Sequence, residues 1–413
     1  RDVYKRQIHS NTSPTYNSES AQEYVQAGLE HAHLARDKHL EIAAAKGERL
    51  KRTAFKVETD AQVGEILGER LVAKVGEGVK GFGHGQQVGY FNPRGGWADA
   101  NNACRALLAH AITLGVKVVG NATVVELIYS SDRRGKVVGV KTNDGRTFQA
   151  NNLIVAAGAW TRDLLCTLTR VNEMQQWMTR PSAQCVAVLK LTPQEARELK
   201  DSPVIISFSN GFYLFEPTPA TGGGEGWEIK IAIHSNGYLY PTPSLQCTGT
   251  YPTFSASTLP PGTGTSANVD VDVGFDMATA CIPASHLDTM LAELARVYPH
   301  LADAWRVKTT RVCWYSDTLD ENWIIDNNHP SLPDNVWVVS GDSGHAYKFL
   351  PILGDLFCTI ANLLPNTRNI DLKRFSFAHQ ANLHKRKQQG IPVHSADSNR
   401  AKNNNNINTR ARL

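Results

Sequence analysis

Two basic side chains lie four residues apart in a segment whose apolar residues alternate, Glu228-Ile-Lys-Ile-Ala-Ile-His234. Because successive side chains of a β-strand point to opposite faces, the alternation predicts Lys230 and His234 on one face. A cation held in a low-dielectric pocket stabilises negative charge that develops on a nearby reactant. The alternative is a solvent-facing lysine, which is the commoner fate of a lysine in a strand.

A glycine-containing loop, Gly341-Asp-Ser-Gly-His-Ala-Tyr-Lys348, separates an apolar strand at Val336 to Ser340 from an apolar segment at Leu350 to Leu364. The second segment is predicted to be a helix with Pro351 near its start, where proline is well tolerated. Free N–H groups and a partial positive charge at a helix N-terminus favour anions. The alternative is a plain glycine loop with a solvated lysine.

A buried strand, Leu153-Ile-Val-Ala-Ala157, runs into Gly158 and is followed by Trp160. Small residues at Ala157 and Gly158 allow a backbone to approach a flat cofactor, and Trp160 is expected to pack nearby. An ordinary buried strand and turn explains the same residues, because glycine has many structural uses.

Cys313 stands in the segment Arg311-Val-Cys-Trp-Tyr-Ser-Asp-Thr-Leu-Asp-Glu-Asn-Trp-Ile-Ile-Asp326. The chain has seven cysteines and no Cys-x-x-Cys pair, which argues against a disulfide framework and a structural zinc site. No metal site is expected. A lone cysteine is most often a buried apolar side chain, which is the alternative here.

The surrounding pattern predicts an α/β fold. Asp99 is predicted to be the N-cap of a helix that Gly115 ends, and β-branched strands are predicted to follow at 116–119, 124–129 and 137–142. Strand patterns dominate from about Gln184 to Tyr240 and predict a separate antiparallel sheet. A helix from Ala284 to Val297 is expected to cover one face of it.

These segments resemble the FAD-dependent amine oxidases of the D-amino acid oxidase superfamily, of the monomeric sarcosine, fructosyl amino acid, L-pipecolate and L-saccharopine oxidase type. The match runs from about Tyr90 to Phe377 and is strongest at Cys313 and at Ser343-Gly-His-x-x-Lys-x-x-Pro351. The resemblance implies flavin-dependent oxidation of a secondary amine or N-substituted amino acid. Dioxygen would accept the electrons, and the products would be an imine and hydrogen peroxide.

The resemblance also implies roles for individual residues. Cys313 would bind FAD covalently through a thioether, Lys230 would promote the reaction with dioxygen, Lys348 would hold the substrate carboxylate, and Tyr315 and His234 would line the active site. The remaining positions would lie against the cofactor: Ala157, Gly158, Trp160, Gly344, His345 and Tyr347, with the backbone of Val125 facing the adenine.

The resemblance fails at the front. Family members open with a strand, a Gly-x-Gly-x-x-Gly turn and a helix that bind the FAD pyrophosphate. The literal match here, Gly76-Glu-Gly-Val-Lys-Gly81, has no helical pattern after it and is interpreted as a loop. We therefore expect an N-terminally truncated FAD-binding Rossmann-like domain together with an antiparallel-sheet substrate domain.

The expected domain boundaries follow from these patterns. Residues 1–20 are expected to be disordered or artefactual, and 21–170 with 308–378 to form a discontinuous FAD-binding domain whose first βαβ unit is missing. Residues 171–307 would form the substrate domain with a mobile insertion at 241–267, and residues 379–413 a disordered basic tail.

Composition narrows the partners. A net charge of +4, spread along the chain and raised by its tail, gives little reason to expect nucleic acid, and no apolar run is long enough to span a membrane. A small-molecule amine, dioxygen and a monomeric state are expected. The ending Ala411-Arg412-Leu413 resembles an address read by the peroxisomal import receptor, so the expected location is the peroxisome and otherwise the cytoplasm.

The sequence leaves the substrate open, together with two rival functions. Sarcosine, pipecolate, saccharopine and fructosyl amino acids all suit related enzymes, although Ala-Ile-His after the lysine tilts the choice away from fructosyl substrates. A flavin dehydrogenase that uses another electron acceptor is one rival. A catalytically inactive fragment is the other.

Overall fold

A computed structural model describes residues 55–57, 59–80, 89–91, 97–131, 135–169, 179–207, 210–220, 225–234 and 282–391. The segment 1–20, the insertion 241–267 and the tail beyond 391 lie outside the described residues, as does the ending Ala411-Arg412-Leu413. In the described part of the chain, no helix is long and apolar enough to cross a membrane.

The described residues form a mixture of helices and parallel and antiparallel strands, as the α/β prediction states. The strands, in chain order, are β1 (Phe55–Val57), β2 (Gly89–Phe91), β3 (Val124–Tyr129), β4 (Val137–Thr142), β5 (Thr147–Gln149), β6 (Leu153–Val155), β7 (Arg180–Leu191), β8 (Ile205–Ile206), β9 (Phe212–Leu214), β10 (Thr218–Pro219), β11 (Trp227–Ile233), β12 (Val307–Asp317), β13 (Ile324–Asp326) and β14 (Val336–Ser340). The α-helices are α1 (Asp60–Val72), α2 (Ala100–Thr113), α3 (Thr161–Thr169), α4 (Pro193–Glu198), α5 (Ala284–Val297), α6 (Leu350–Ile360) and α7 (Phe377–Gln388).

The largest sheet is antiparallel, in the order β12-β7-β11-β9-β8, with β10 paired to β11. Alternate residues of its strands, including Ile229, Ile231 and Ile233 of β11, enter one hydrophobic core. Helices α1 and α5 contribute to the same core, and α5 contacts β7 and β11, so one face of the sheet is covered. The predicted bounds of α5 are confirmed.

The strand β12 forms the edge of this sheet, where it pairs with β7 from Asp317 opposite Arg180 to Val307 opposite Leu189. The expected domain boundary at residue 308 falls inside this strand. The large antiparallel sheet therefore carries Cys313, and the chain then runs through β13 and β14 before it reaches the loop Gly341–Lys348.

A second sheet contains the parallel pair β14 and β6, with β13 antiparallel to β14 on the other side. Val155, Val336 and Val338 pack with α3 in one core, while α6 packs with Trp323 and Phe375 in another. Each strand of the parallel pair is followed by a segment that carries predicted site residues, Ala157 and Gly158 after β6 and Gly344 after β14.

A three-stranded meander, β3-β4-β5, follows helix α2, whose predicted N-cap Asp99 accepts a hydrogen bond from the backbone N–H of Asn102. The predicted strand at 116–119 is wrong: these residues have no regular structure, and Val116, Val118 and Val119 are exposed. Their β-branched side chains suit a strand, but no described strand pairs with them.

The glycines at 76 and 78 lie in a loop, as predicted, and packing explains them. The backbone N–H of Gly76 and of Gly78 donate to the carbonyls of Val297 and Arg296 at the end of α5. An added Cβ at Gly76 would lie 2.6 Å from the carbonyl oxygen of Arg296. These glycines therefore serve a close backbone approach.

The expected disorder from residue 379 is wrong up to Gln388, because Phe377–Gln388 forms helix α7. Ser376 caps the helix, and the carboxylate of Asp320 accepts hydrogen bonds from Gln380 Nε2 and, at 2.7 Å, pairs with His379 Nε2. Tertiary hydrogen bonds hold a helix whose polar sequence did not predict one.

Candidate functional site

The face of the large sheet opposite the core gathers four of the predicted site residues. Ile229, Ile231 and Ile233 enter the core, so Lys230 lies on the other face, and Val312 enters the core between Arg311 and Cys313 in the same way. The strand register places Cys313 opposite Gln184 of β7, and Lys230 opposite Val188 of the same strand. His234 follows the end of β11, and its ring centroid lies 5.9 Å from that of Tyr315.

Cys313 is an exposed free thiol on this face. Arg311 and Cys313 both lie within electrostatic range of the Lys230 ammonium. Burial lowers the pKa of Lys230, and the charge of Arg311 lowers it further, while Cys313 acts in the opposite direction. A half-buried amine and an accessible thiol on the same sheet face are suited to electrostatic action on a flat ligand placed over the sheet.

Tyr315 closes this face against the glycine loop. Gly344 has φ 71°, and a Cβ built on it would lie 2.1 Å from Cε2 of the Tyr315 ring. The ring therefore needs a glycine at this position, both for contact and for backbone conformation. Burial raises the pKa of Tyr315 well above its usual value, and the neighbouring Tyr213 hydroxyl adds to this, so Tyr315 is a neutral wall.

Asp342 fixes the start of the loop to β12. One oxygen of its carboxylate accepts from the backbone N–H of Ser316 at 3.1 Å, and the backbone N–H of Ser343 donates to the carbonyl of Ser316 at 3.0 Å. His345 Nε2 lies 2.8 Å from the carbonyl oxygen of Glu321. The loop residues predicted to lie against a cofactor are thereby held beside Tyr315.

Lys348 lies in a short 3₁₀ helix, Ala346–Phe349, that leads into α6 with Pro351 at its first turn. Its ammonium lies 5.4 Å from the centroid of the Phe349 ring. Burial lowers the pKa of Lys348 to about 8. Its charge therefore titrates in a range where a carboxylate ligand would feel the change.

The segment after β6 reaches the same region. A 3₁₀ turn, Gly158–Trp160, contacts both β7 and β12, and the carbonyl of Gly158 accepts a hydrogen bond from Ser340 Oγ at 3.3 Å. Ser340 Oγ in turn lies 3.1 Å from Ser316 Oγ, so short hydrogen bonds join the turn after β6 to β14 and β12. Gly158 has φ 55°, and an added Cβ would meet no described atom within 4 Å.

Val125 is not brought into this group. It lies in β3, which belongs to the separate meander, at an irregularity in the pairing with β4, and its side chain is 47% exposed. Its predicted place beside an adenine stays a prediction.

Several residues of this face were not predicted from the sequence. Asp317 accepts a hydrogen bond from Ser182 Oγ at 2.5 Å, and burial raises the pKa of its carboxyl, although Ser182 and Arg180 act to lower it. Phe215 and Tyr213 line the side near Lys230. Alternation along Glu228–His234 gave the face of one strand, but contacts between strands depend on register, which the sequence did not reveal.

A family profile described as FAD dependent oxidoreductase (DAO) matches residues 7–360. The chain belongs to this family. The family prediction, made from the motifs around Gly158, Cys313 and Gly344, is confirmed.

Individual relatives agree with this assignment. L-saccharopine oxidase of Schizosaccharomyces pombe is 31% identical over 280 residues, which cover 64% of this chain and 54% of that protein. Peroxisomal sarcosine oxidase of Mus musculus is 27% identical over 301 residues, covering 72% and 65%. The chain therefore spans 54% of the first relative's length and 65% of the second's.

A solved structure, the deglycating enzyme fructosamine oxidase of Aspergillus fumigatus (Amadoriase II), superposes with a TM-score of 0.60 at 25% identity, covering 80% of this chain and 68% of the other. This likeness supports the fold described above.

The side chains of the sheet face fit the ring end of FAD. They offer an exposed thiol at Cys313, a half-buried cation at Lys230 and a loop pinned by Asp342 whose Gly344 leaves no room for a side chain. Among the described residues, no group of three or more histidine, cysteine or acidic side chains is placed to hold a metal ion.

Proposed function

We propose that this chain carries the substrate-oxidising face of an FAD-dependent oxidase acting on a secondary amine or N-substituted amino acid. The reaction would yield an imine and, with dioxygen as acceptor, hydrogen peroxide. The observation that carries the proposal is the convergence of Lys230, Cys313 and Tyr315 on one sheet face beside the Gly341–Lys348 loop.

When bound, FAD would supply the two-electron redox chemistry that the protein side chains lack. Cys313 would hold the ring through a covalent thioether, and its exposure on the sheet face leaves the sulfur accessible for that bond. The loop and turn residues Gly344, His345, Tyr347, Ala157, Gly158 and Trp160 would lie beside the cofactor, and Val125 near its adenine end.

The substrate would be held between the loop and the sheet. The Lys348 ammonium would bind the carboxylate, and Tyr315 with His234 would wall the amine-bearing carbon. Lys230 would present its cation where negative charge develops on dioxygen. The presence of Lys230 favours an oxidase over a dehydrogenase that uses another acceptor.

The substrate class is that of the relatives, and the 31% identity to a saccharopine oxidase favours an N-substituted amino acid larger than sarcosine. Sarcosine, pipecolate and fructosyl amino acids form the rest of the panel to test. Peroxide release from each amine would rank them.

The deciding experiment is an absorption spectrum of purified protein, before and after acid precipitation. Flavin absorption that stays with the acid-precipitated pellet of the unaltered chain, but passes into the supernatant in a Cys313→Ser variant, would support covalent FAD at that sulfur. A colourless protein that takes up no added FAD, and releases no peroxide with any amine, would contradict the proposal for this chain.

We further propose that the protein is a monomer that reaches peroxisomes through its terminal Ala411-Arg412-Leu413. A relative named peroxisomal sarcosine oxidase supports the location. A fluorescent protein ending in the last residues of this chain should enter peroxisomes, and removal of Leu413 should leave it in the cytoplasm.

A further inference from the structure

The Lys230 ammonium has an unusual environment for a half-buried cation. Its predecessor Ile229 and successor Ile231 are fully buried in the core, and burial lowers the pKa of the amine. Arg311 adds a like charge nearby, while Cys313 is the other titratable group that acts on it. Among the described residues, no carboxylate acts on the ammonium or forms an ion pair with it, so another group must offset its desolvation.

The position of Phe215 allows its ring to offset the desolvation of the Lys230 ammonium. Its backbone N–H donates to the carbonyl of Lys230 at 3.3 Å, continuing the register in which Leu214 lies opposite Ile231. The two residues are therefore cross-strand neighbours with side chains on the same face. The Lys230 Nζ lies 5.2 Å from the centroid of the Phe215 ring.

The ring is itself fixed by aromatic neighbours. Tyr213 meets Phe215 edge-on at 5.6 Å, and Trp97 does so at 5.9 Å. Trp97 is held by a hydrogen bond from its Nε1 to the buried carboxylate of Glu216 at 3.1 Å. Such packing leaves the face of Phe215 directed by its surroundings rather than free to rotate away.

We propose that Phe215 is a positioning residue that keeps Lys230 protonated and in place through a cation–π contact. An aromatic face attracts the ammonium without supplying a counter-charge. A carboxylate would hold the cation equally well but would cancel its field. For a lysine proposed to stabilise charge developing on dioxygen, an uncancelled field is what the chemistry needs, and this purpose rests on the proposed function.

The contact can be tested without flavin or turnover. Competitive acetylation of the full chain, followed by peptide mass spectrometry between about pH 6 and pH 11, gives each lysine a titration midpoint and an alkaline plateau. The plateau reports accessibility, and the midpoint reports protonation. Normalising to the plateau therefore separates loss of the contact from simple opening of the structure.

In Phe215→Leu we expect the Lys230 midpoint to move to lower pH, and its normalised acetylation rate near pH 7 to rise about fivefold. That factor corresponds to about 1 kcal/mol, the usual size of a partly buried cation–π contact. Phe215→Tyr should stay within about twofold of the unaltered chain because it keeps the ring. Lys308, paired with Glu228 at 2.9 Å, serves as an internal standard.

Phe148→Leu is the matched control, because it removes a ring that lies under a different cation, Arg146, at 5.8 Å. An unchanged Lys230 midpoint in Phe215→Leu, or an equal fall in Phe215→Tyr, would overturn the proposal. In flavin-loaded protein, the rate of reoxidation by dioxygen should decrease as pH rises and Lys230 loses its proton. In Phe215→Leu this decrease should begin at a lower pH than in the unaltered chain, while the rate of reduction by amine is unchanged. If the chain proves not to be an oxidase, the acetylation result still decides whether the contact exists.

Discussion

At the scale of single residues, Lys348 offers the clearest pH dependence. Its pKa is lowered to about 8 by burial, so the amine is cationic below that pH and neutral above it. Binding of a substrate carboxylate should therefore weaken as pH rises, and kcat/KM should fall with a midpoint near pH 8 because this ratio reports the free enzyme.

Two variants separate this effect from ionisation of the substrate. At pH values below the midpoint, Lys348→Met should lower kcat/KM about 10- to 100-fold, the value of one charged hydrogen bond. It should also abolish the alkaline limb, which is the fall of kcat/KM as pH rises. Lys348→Arg should move the limb to higher pH, because a guanidinium stays charged. The same limb in all three proteins would assign it to the substrate amine and not to Lys348.

Gly344 makes a second residue-scale prediction, about stability. A Cβ at this position would lie 2.1 Å from the Tyr315 ring and would sit on a backbone with φ 71°. Overpacking and the left-handed conformation together predict that Gly344→Ala lowers the free energy of unfolding by about 2–4 kcal/mol. Urea denaturation followed by tryptophan fluorescence measures it.

Gly354→Ala is the control for this prediction. Gly354 lies in α6, and an added Cβ there meets no described atom within 4 Å, so alanine should raise the free energy of unfolding by about 0.5–1 kcal/mol. Equal effects at the two glycines would show that the Tyr315 contact does not restrict position 344.

At the scale of elements, the carboxylate of Asp320 joins the C-terminal helix α7 to the loop between β12 and β13. Burial opposes ionisation of Asp320, but hydrogen bonds from His379, Asn322 and Gln380 lower its pKa to about 2. The ordinary value is 3.8, so the stabilisation is fully present above pH 3.8 and is lost as pH falls through about 2. This contribution is about 2 kcal/mol.

Asp320→Asn should therefore lower the free energy of unfolding at neutral pH by about 1–3 kcal/mol. It should also flatten the loss of stability between pH 4 and pH 2. Asp334→Asn, at an exposed carboxyl, should change neither. If Asp320→Asn unfolds with the same pH dependence as the unaltered chain, the connection to α7 does not depend on the charge of Asp320.

Element boundaries show what the sequence could predict here. Local signals were sufficient for α5 and for the Asp99 cap, because side-chain periodicity and capping act within a few residues. They were insufficient for α7 and for residues 116–119, where tertiary partners decide the outcome. The site divides in the same way: Lys230 and Cys313 stand in recognisable motifs, whereas Phe215 and Trp97 act through contacts between distant segments.

At the scale of the whole molecule, one face of the large sheet packs into the hydrophobic core, and the other face carries residues of the proposed function. Ile229 and Ile231 face a core closed by α1 and α5, and each fully buried side chain contributes about 1.5–3 kcal/mol to folding. The opposite face holds the exposed Cys313 and the half-buried Lys230, and the core offsets the desolvation cost of the Lys230 ammonium. Substitutions on the face that carries Lys230 and Cys313 should therefore alter function more than stability, except where they contact the tightly packed Tyr315.

One surface of the molecule exposes apolar side chains that are not packed in any described core. Helix α2 buries none of its side chains, and Leu107, Leu108 and Ile112 are exposed along it, with Leu108 and Ile112 one turn apart. Contiguous exposed apolar area on a folded chain binds hydrophobic dyes and promotes association.

We expect the purified chain to enhance the fluorescence of anilinonaphthalene sulfonate at neutral pH. The double variant Leu108→Gln, Ile112→Gln should reduce that fluorescence severalfold while the free energy of unfolding changes by no more than about 0.5 kcal/mol, because glutamine keeps good helix propensity and nothing packed is lost. Gln substitutions at Leu291 and Leu294 of the buried α5 should act in reverse, raising dye binding and lowering stability. If the α2 variant instead loses several kcal/mol, these leucine and isoleucine side chains are covered in solution, and α2 packs against a further part of the protein.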